Sequence, residues 1–421
     1  MKKARSLAAA GLAALLALTG TACSGSGDGS SQAGGQVTLK LWTGFTGGDR
    51  PGYDTIVKDF EKAHPNIKIE STVQPWDTIQ QKLPSAWLTG QGPDIAAVSS
   101  DPNAVAQYVK TNSVLPITNT GSGYTKINTD AFAPGIVKEF TYNGKLYGVP
   151  ANFATLSLYY NKTLFKNAGI ANPPTTVAEM KQDAKKLTTG GKYGIALADN
   201  NTIQMWPILQ WLEGGDIVNS KNCSVLQTSE GQKSLTDWTN LVVKDKVSPV
   251  GLTGAEADSL FSAGKAAMEM NGPWAAPGYK SAGVDFGIVK IPTGVDGKSA
   301  TLGSVAPLSI SAKTKHPKEA QEFLAFWTGK ATQKKFSLQT GFPPVRTDLV
   351  DDAELKANKT VAVFQSQTAD SRMYLPQVPS ATKVDSDAYV PLIGNITRGK
   401  SLASETATAA KTIDSLTGCQ Q

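Results

Sequence analysis

Two hydrophobic periods alternate along this chain, and that alternation constrains its fold more than any other feature. Val37, Leu39 and Leu41 recur at every second residue, the spacing of a strand with one buried face. After the loop TGFTGGD, Tyr53, Ile56, Val57 and Phe60 fall at i, i+3, i+4 and i+7. That spacing predicts a helix from Arg50, ending at His64-Pro65 because proline disfavours helix in the residue before it. Ile67 and Ile69 then resume the strand period. A strand, helix, strand unit makes the two strands parallel and sets the Gly-rich loop at the carboxyl edge of the sheet, where α/β proteins bind ligands.

The pattern repeats. Ile79, Leu83, Ala86 and Trp87 predict a helix ended by Gly90, and Pro93-Asp94 leads into the apolar strand IAAV. Leu156 to Tyr160 reads as a strand. Thr176 to Glu179 has capping-box spacing ahead of Val177, Met180, Ala184 and Leu187. A helix from about Glu230 carries Leu235, Trp238, Leu241 and Val242; Phe286, Ile288 and Val289 mark a strand; His316-Pro317 opens a helix with Ala320, Phe323, Leu324 and Trp327 inward. Alternating elements predict an α/β protein. From Val37 to Gln421 there is more chain than one core usually organises, which favours two lobes.

Ahead of this lies MKKARSLAAAGLAALLALTGTAC, with a basic start (Lys2, Lys3, Arg5) and an apolar run from Leu7 to Leu18. It reads as a signal peptide over residues 1–22, since a permanent span of a hydrocarbon core about 30 Å thick needs about 20 apolar residues. Gly20, Thr21 and Ala22 directly precede Cys23, the pattern expected where a thiol is acylated, as with palmitate, and the peptide before it removed. The alternative is an ordinary secretory signal with an incidental cysteine, because Gly20 stands where lipoprotein signals usually carry Leu. The Gly/Ser-rich segment over 23–36 is too polar to fold and reads as a flexible tether. The expected location is the extracellular face of the cytoplasmic membrane. With Cys23 lipidated, Cys223 and Cys419 are left in an oxidising compartment and are expected to pair, the alternative being two unrelated thiols.

Charge and motif content narrow the function. The formal net charge of +6 falls to +3 without the three basic residues of the signal, and no basic stripe with interleaved aromatics tracks a phosphate backbone, so nucleic acid is a poor partner. Two histidines, His64 and His316, each precede a proline at a helix edge, which leaves no zinc-ligand spacing and little material for a Ser-His-Asp triad. No metal or cofactor is expected. Gly394 to Ser401 matches the phosphate-cradling pattern G-x-x-x-x-G-K-S, but Pro391 disfavours a central strand before it and too little chain follows to supply a magnesium-binding aspartate. A helix, a turn at Gly399 and a last helix begun by Ser401 is the expectation there. A carboxylate-pair glycosidase leaves no local spacing signature and stays as the alternative function, with a sensor subunit more remote.

Gly148-Val149-Pro150, LSLYYNKTLFKNAGI and PPTTVAEM resemble the extracellular solute-binding proteins of family 1, as do FEKAHPNIKIE, GQGPDIAAV, FSAGKAAMEMNGPW, KHPKEAQEFLAFW and GFPPVR. The resemblance covers nearly the whole mature chain in order. It implies a two-lobed fold of the periplasmic-binding-protein type II, a ligand clamped in the cleft between α/β lobes, and delivery to the transmembrane subunits of an ABC permease by a monomer without catalysis. The expected division is 37–152 plus 307–374 for one lobe and 153–306 plus 375–421 for the other. A sugar is the expected ligand, because its apolar C–H faces ringed by hydroxyls suit flat aromatics and hydrogen-bonding side chains. Trp274, in a Gly-Pro turn after AAMEM, resembles the family's stacking tryptophan, whereas Trp238 and Trp327 read as core. Thr43, Phe45 and Asp49 in the first loop, Asp101, Asn152 and Thr155 after the Gly-Val-Pro crossing, Gln204, Trp206, Asp385 and Asp387 are further candidates. The first-loop residues could instead form a solvated turn, Asp101 a helix N-cap, and Trp206 part of the core. Tyr389 is a possible aromatic of the last segment.

Overall fold

The first alternation folds as its period dictates. In a computed structural model, described for residues 35–98, 104–201, 203–376 and 378–419, strand Val37–Thr43 pairs in parallel with Ile67–Val73, placing Leu39 opposite Ile69. Helix Arg50–Ala63 connects them and buries Tyr53, Ile56, Val57 and Phe60. Ile95–Ala97 adds to the other side in parallel, and Pro307–Ser311 follows antiparallel. Val114–Leu115 and Val149–Pro150 complete a six-stranded sheet by pairing with Pro307–Ser311. Helix Trp76–Thr89 stops at Gly90, whose φ of 75° is the left-handed conformation that suits glycine. Helix Pro317–Trp327 covers the sheet with Phe323, Leu324 and Trp327 inward. These surfaces meet in one apolar core containing Leu39, Leu41, Phe60, Ile95, Phe323 and Trp327.

The second lobe is organised around Ser157–Asn161, flanked antiparallel by Met268–Asn271 and Phe286–Val289. Helix Val177–Leu187 begins with the expected capping box between Thr176 and Glu179. The sequence reading passed over residues 193–198, which run beside the central strands through bridges at Tyr193 and Ala196 and bury Ile195 and Leu197. The core of this lobe holds Leu158, Met180, Trp206, Trp238, Leu392 and Ile413. Cys223 and Cys419 are joined in a disulfide with Cα atoms 5.1 Å apart. Ser224 N–H donates to Asp414 Oδ1 at 2.7 Å beside the bridge. Near the end of the chain, helix Val390–Thr397 is followed by Gly399 at φ 87° and by Ser401, which caps helix Leu402–Thr417. The phosphate-loop pattern therefore folds as helix, turn, helix, with no strand leading into it.

A third sheet joins the lobes. Ala154–Thr155 and Ser371–Met373 flank Thr301–Ser304. The last crossing passes through this sheet at Ser371–Met373. Phe364 already packs in a cluster with Tyr159, Phe261, Ala275 and Tyr279. Gln367, which is buried, donates to Leu156 O and Ser157 Oγ and accepts from Ile291 N. Phe364 and Gln367 thus pack with the second lobe, through an apolar cluster and a three-bond amide, while Met373 further on packs against the first-lobe core.

Candidate functional site

The best-defined feature at the junction is the turn after strand Met268–Asn271. Asn271 Oδ1 accepts the Gly272 N–H at 2.8 Å, and the Tyr159 hydroxyl donates to Gly272 O at 2.7 Å. Both polar groups of Gly272 are therefore held by side chains. The Trp274 indole folds back over Gly272 so closely that a Cβ there would stand 2.1 Å from Cζ3. Trp274 is partly buried and packs against the cores of both lobes and the Tyr159 cluster. Its ring centroid lies 6.0 Å from that of Phe342, in the GFPPVR segment. Its carbonyl accepts the Gly48 N–H of the first loop at 3.2 Å.

That first loop departs from the sequence reading. Thr43 is fully buried at the end of its strand, and its hydroxyl accepts from Phe45 N. Phe45 is only 1% exposed. It stacks nearly parallel to Trp327 with centroids 6.1 Å apart and touches Tyr53, Phe336 and Trp76. Both are packing residues beneath the loop, not surface contacts. Asp49 is 6% exposed, and its Oδ1 accepts from Gly47 N at 3.2 Å. Burial pushes its carboxyl up to about 6, against the lowering effect of its own N–H and that of Gly47.

Sequence reasoning missed Trp76. It is partly buried, and its ring lies over Gly44, where a Cβ would meet it at 2.1 Å. The signal was present: like Trp274, it follows a strand through a proline, in Gln74-Pro75-Trp76.

The remaining candidates divide. Asn152 Oδ1 accepts from Ala306 N at 3.1 Å, and Thr155 Oγ1 donates to Phe364 O at 2.9 Å, so both side chains tie hinge segments together. Trp206 is fully buried within helix Met205–Leu212, with Nε1 donating to Ala198 O at 3.0 Å. It belongs to the core, because the segment read as loop folds into an apolar helix. Gln204, just before that helix, is partly exposed. Asp385 is partly exposed on a π-helical turn, Asp385–Tyr389, and accepts from the Tyr374 hydroxyl at 2.6 Å. π turns recur at functional sites. Tyr389 is fully buried with its hydroxyl on Gln210, so Tyr374, missed in the sequence, is the partly exposed aromatic of this region. Asp387 is exposed and lies 3.6 Å from Lys383. Asp101 and Cys23 lie outside the described residues.

Two carboxyl groups do stand together, Asp258 and Glu269, but Glu269 is 1% exposed inside the second lobe. A glycosidase pair must flank a substrate, and the burial of Glu269 keeps its carboxyl group from contacting one.

Two α/β lobes joined by a hinge sheet, with a tryptophan packed against both cores, define a two-lobed solute-binding fold. The chain belongs to the family described as bacterial extracellular solute-binding protein, whose model matches residues 55–363. It is 27% identical over 376 residues to the arabinooligosaccharide-binding protein of Bacillus subtilis (strain 168), covering 84% of this chain and 83% of that one. The fold is similar to the GacH receptor of Streptomyces glaucescens, solved unliganded and with acarbose (TM-score 0.80, 22% identity, 92% of this chain and 100% of that one). It is also similar to UgpB from Mycobacterium tuberculosis in complex with glycerophosphocholine (TM-score 0.81, 21% identity, 91% and 98%).

Proposed function

We propose that this protein is the substrate-binding component of an ABC importer, held outside the cell by a lipid on Cys23, and that it binds a carbohydrate between its lobes without catalysing bond chemistry. The observation that carries this reading is Trp274, an indole left partly buried against both cores by a turn in which side chains hold both polar groups of Gly272. A flat apolar face at a lobe junction suits the C–H face of a sugar ring. Trp76 is a second partly buried indole, on the first lobe, and Tyr374 and Asp385 offer polar contacts from the second. The relationship to an arabinooligosaccharide-binding protein supports the same ligand class. Residues 152 and 306 mark two of the crossings about which the lobes would close on a ligand, and the closed form would be what the permease subunits recognise.

Intrinsic tryptophan fluorescence titrated with mono- and oligosaccharides tests the ligand. A saturable change for one sugar class is expected, largely lost in Trp274→Ala; silence across the panel sinks the carbohydrate assignment. Turnover of the bound oligosaccharide would instead favour a hydrolase. Metabolic labelling with palmitate, abolished in Cys23→Ala, tests the anchor.

A further inference from the structure

Strand Met268–Asn271 carries a polar network in which Glu269, Asn271 and Tyr279 are buried and Asp258 is partly buried. Asn271 Nδ2 donates to Asp258 Oδ1 at 2.7 Å and to the Tyr279 hydroxyl at 2.9 Å, with Glu269 Oε1 at 3.4 Å. The Tyr279 hydroxyl in turn donates to Glu269 Oε2. Asp258 comes from helix Gly254–Ser262 and Tyr279 from helix Ala276–Ser281. Tyr159, on the neighbouring strand, sits against Tyr279 with ring centroids 5.3 Å apart. Burial raises both carboxyl groups, Glu269 well above the ordinary carboxylate range, and each adds to or is relieved by the other. The groups acting on the pair are each other, Tyr279 and Asn271; no lysine or arginine is among them. Two anions placed side by side with no cation beside them would repel, and the burial of Glu269 adds to that cost, so the Glu269 carboxyl favours its protonated form.

This network ends on the candidate ligand contact. The amide whose Nδ2 is held by Asp258 presents its Oδ1 to Gly272 N, and Gly272 is the residue over which the Trp274 ring lies. An Asn amide cannot swap its two ends without losing both bonds. We propose that Asp258, Glu269 and Asn271 are positioning residues for Trp274: a proton shared by the two carboxyl groups aims the Asn271 amide, the amide fixes Gly272, and Gly272 seats the indole. Glu269 is too buried to touch a ligand and acts only through this chain. The consequence for ligand affinity rests on Trp274 being a ligand contact; the seating itself does not.

The test uses the mature chain labelled with 5-fluorotryptophan and read by fluorine NMR, which needs no ligand. Trp274 is assigned among the eight tryptophans by the signal missing in Trp274→Phe. In the wild type that signal is expected to titrate at a pH above the ordinary carboxylate range, when the shared proton leaves. Glu269→Gln, which mimics the protonated acid, should hold the low-pH position and not titrate. Asn271→Ala should shift or broaden the signal at every pH, with Asn271→Asp, lacking the donor, as a second variant should Ala fail to fold. For a saccharide that binds, wild-type affinity should fall about tenfold or more across the same titration, a change of about 1.4 kcal/mol, and stay flat in Glu269→Gln. An unmoved Trp274 signal in Asn271→Ala, or an unaltered titration in Glu269→Gln, overturns the proposal. If the signals behave as expected but no saccharide binds, the positioning stands and the sugar assignment falls.

Discussion

Asp49 is a carboxyl group with backbone donors and little water, and its pH behaviour follows from that. Its folded value of about 6 stands above the 3.8 of an exposed aspartate, so the folded state holds a proton that the unfolded chain has released over that window. Stability is therefore expected to fall as pH climbs from about 4 to about 6, by about 3 kcal/mol in all. Asp49→Asn should flatten this slope. Denaturation midpoints measured at intervals across the window check it; a wild-type slope unchanged in the variant removes Asp49 as the cause. Single residues also mark where sequence reading stopped. Phe45 and Trp274 both follow strands in glycine-containing loops. What separates them is the company each keeps: Trp327 and Phe336 close over Phe45 from late in the chain, and no local pattern announces that.

At the scale of elements, local rules were largely sufficient. The capping box at Thr176, the left-handed Gly90 and the helix begun at Ser401 are short-range chemistry, in which a side chain or a missing Cβ satisfies backbone groups a few residues away. Residues 193–198 join the central strands through single bridges instead of a regular ladder, and the alternation of Tyr193, Ile195 and Leu197 with Gly and Ala was passed over. The disulfide is an element-scale staple. It ties the turn containing Cys223 to the end of the last helix across a separation of 196 residues. Closing so long a loop restricts the unfolded chain by about 5 kcal/mol in the chain-entropy account, with measured losses of about 2–5 kcal/mol when such bridges are removed. Cys419→Ser together with Cys223→Ser should lower the denaturation midpoint accordingly while leaving saccharide binding in place; an unchanged midpoint would mean the last helix is held by packing alone.

For the whole molecule, the hinge decides how the lobes relate, and the buried Gln367 side chain makes three hydrogen bonds there. One carboxamide serves Leu156 O, Ser157 Oγ and Ile291 N, all buried. Gln367→Leu keeps the volume and removes these partners. Each buried group left unpaired is worth about 1–3 kcal/mol, although Leu156 O keeps the Thr301 hydroxyl. The expected result is a clear loss in chemical denaturation, and a variant as stable as wild type would show that water takes over these bonds. The same bonds show that part of the segment ahead of residue 374 leans on the second lobe. Periodicity locates helices and strands but is blind to which lobe a connecting segment leans on.

The sequence by itself determined the alternation of strands and helices, their caps, the export signal as an expectation, and the resemblance that implied two lobes, because each is written in near neighbours or in ordered motifs. It also pointed to Trp274, since a tryptophan in a Gly-Pro turn at a strand end stands off any helical face. Tertiary structure alone decided that Thr43, Phe45, Trp206 and Tyr389 are buried, that Asn152 and Thr155 bolt the hinge, and that Trp76 and Tyr374 remain partly open. It also brought Asp258 and Tyr279 from separate helices onto Glu269 and Asn271. The physical reason is common to all of these: burial and hydrogen-bond partnership depend on which distant surfaces close over a side chain, and that is a property of packing, not of local spacing.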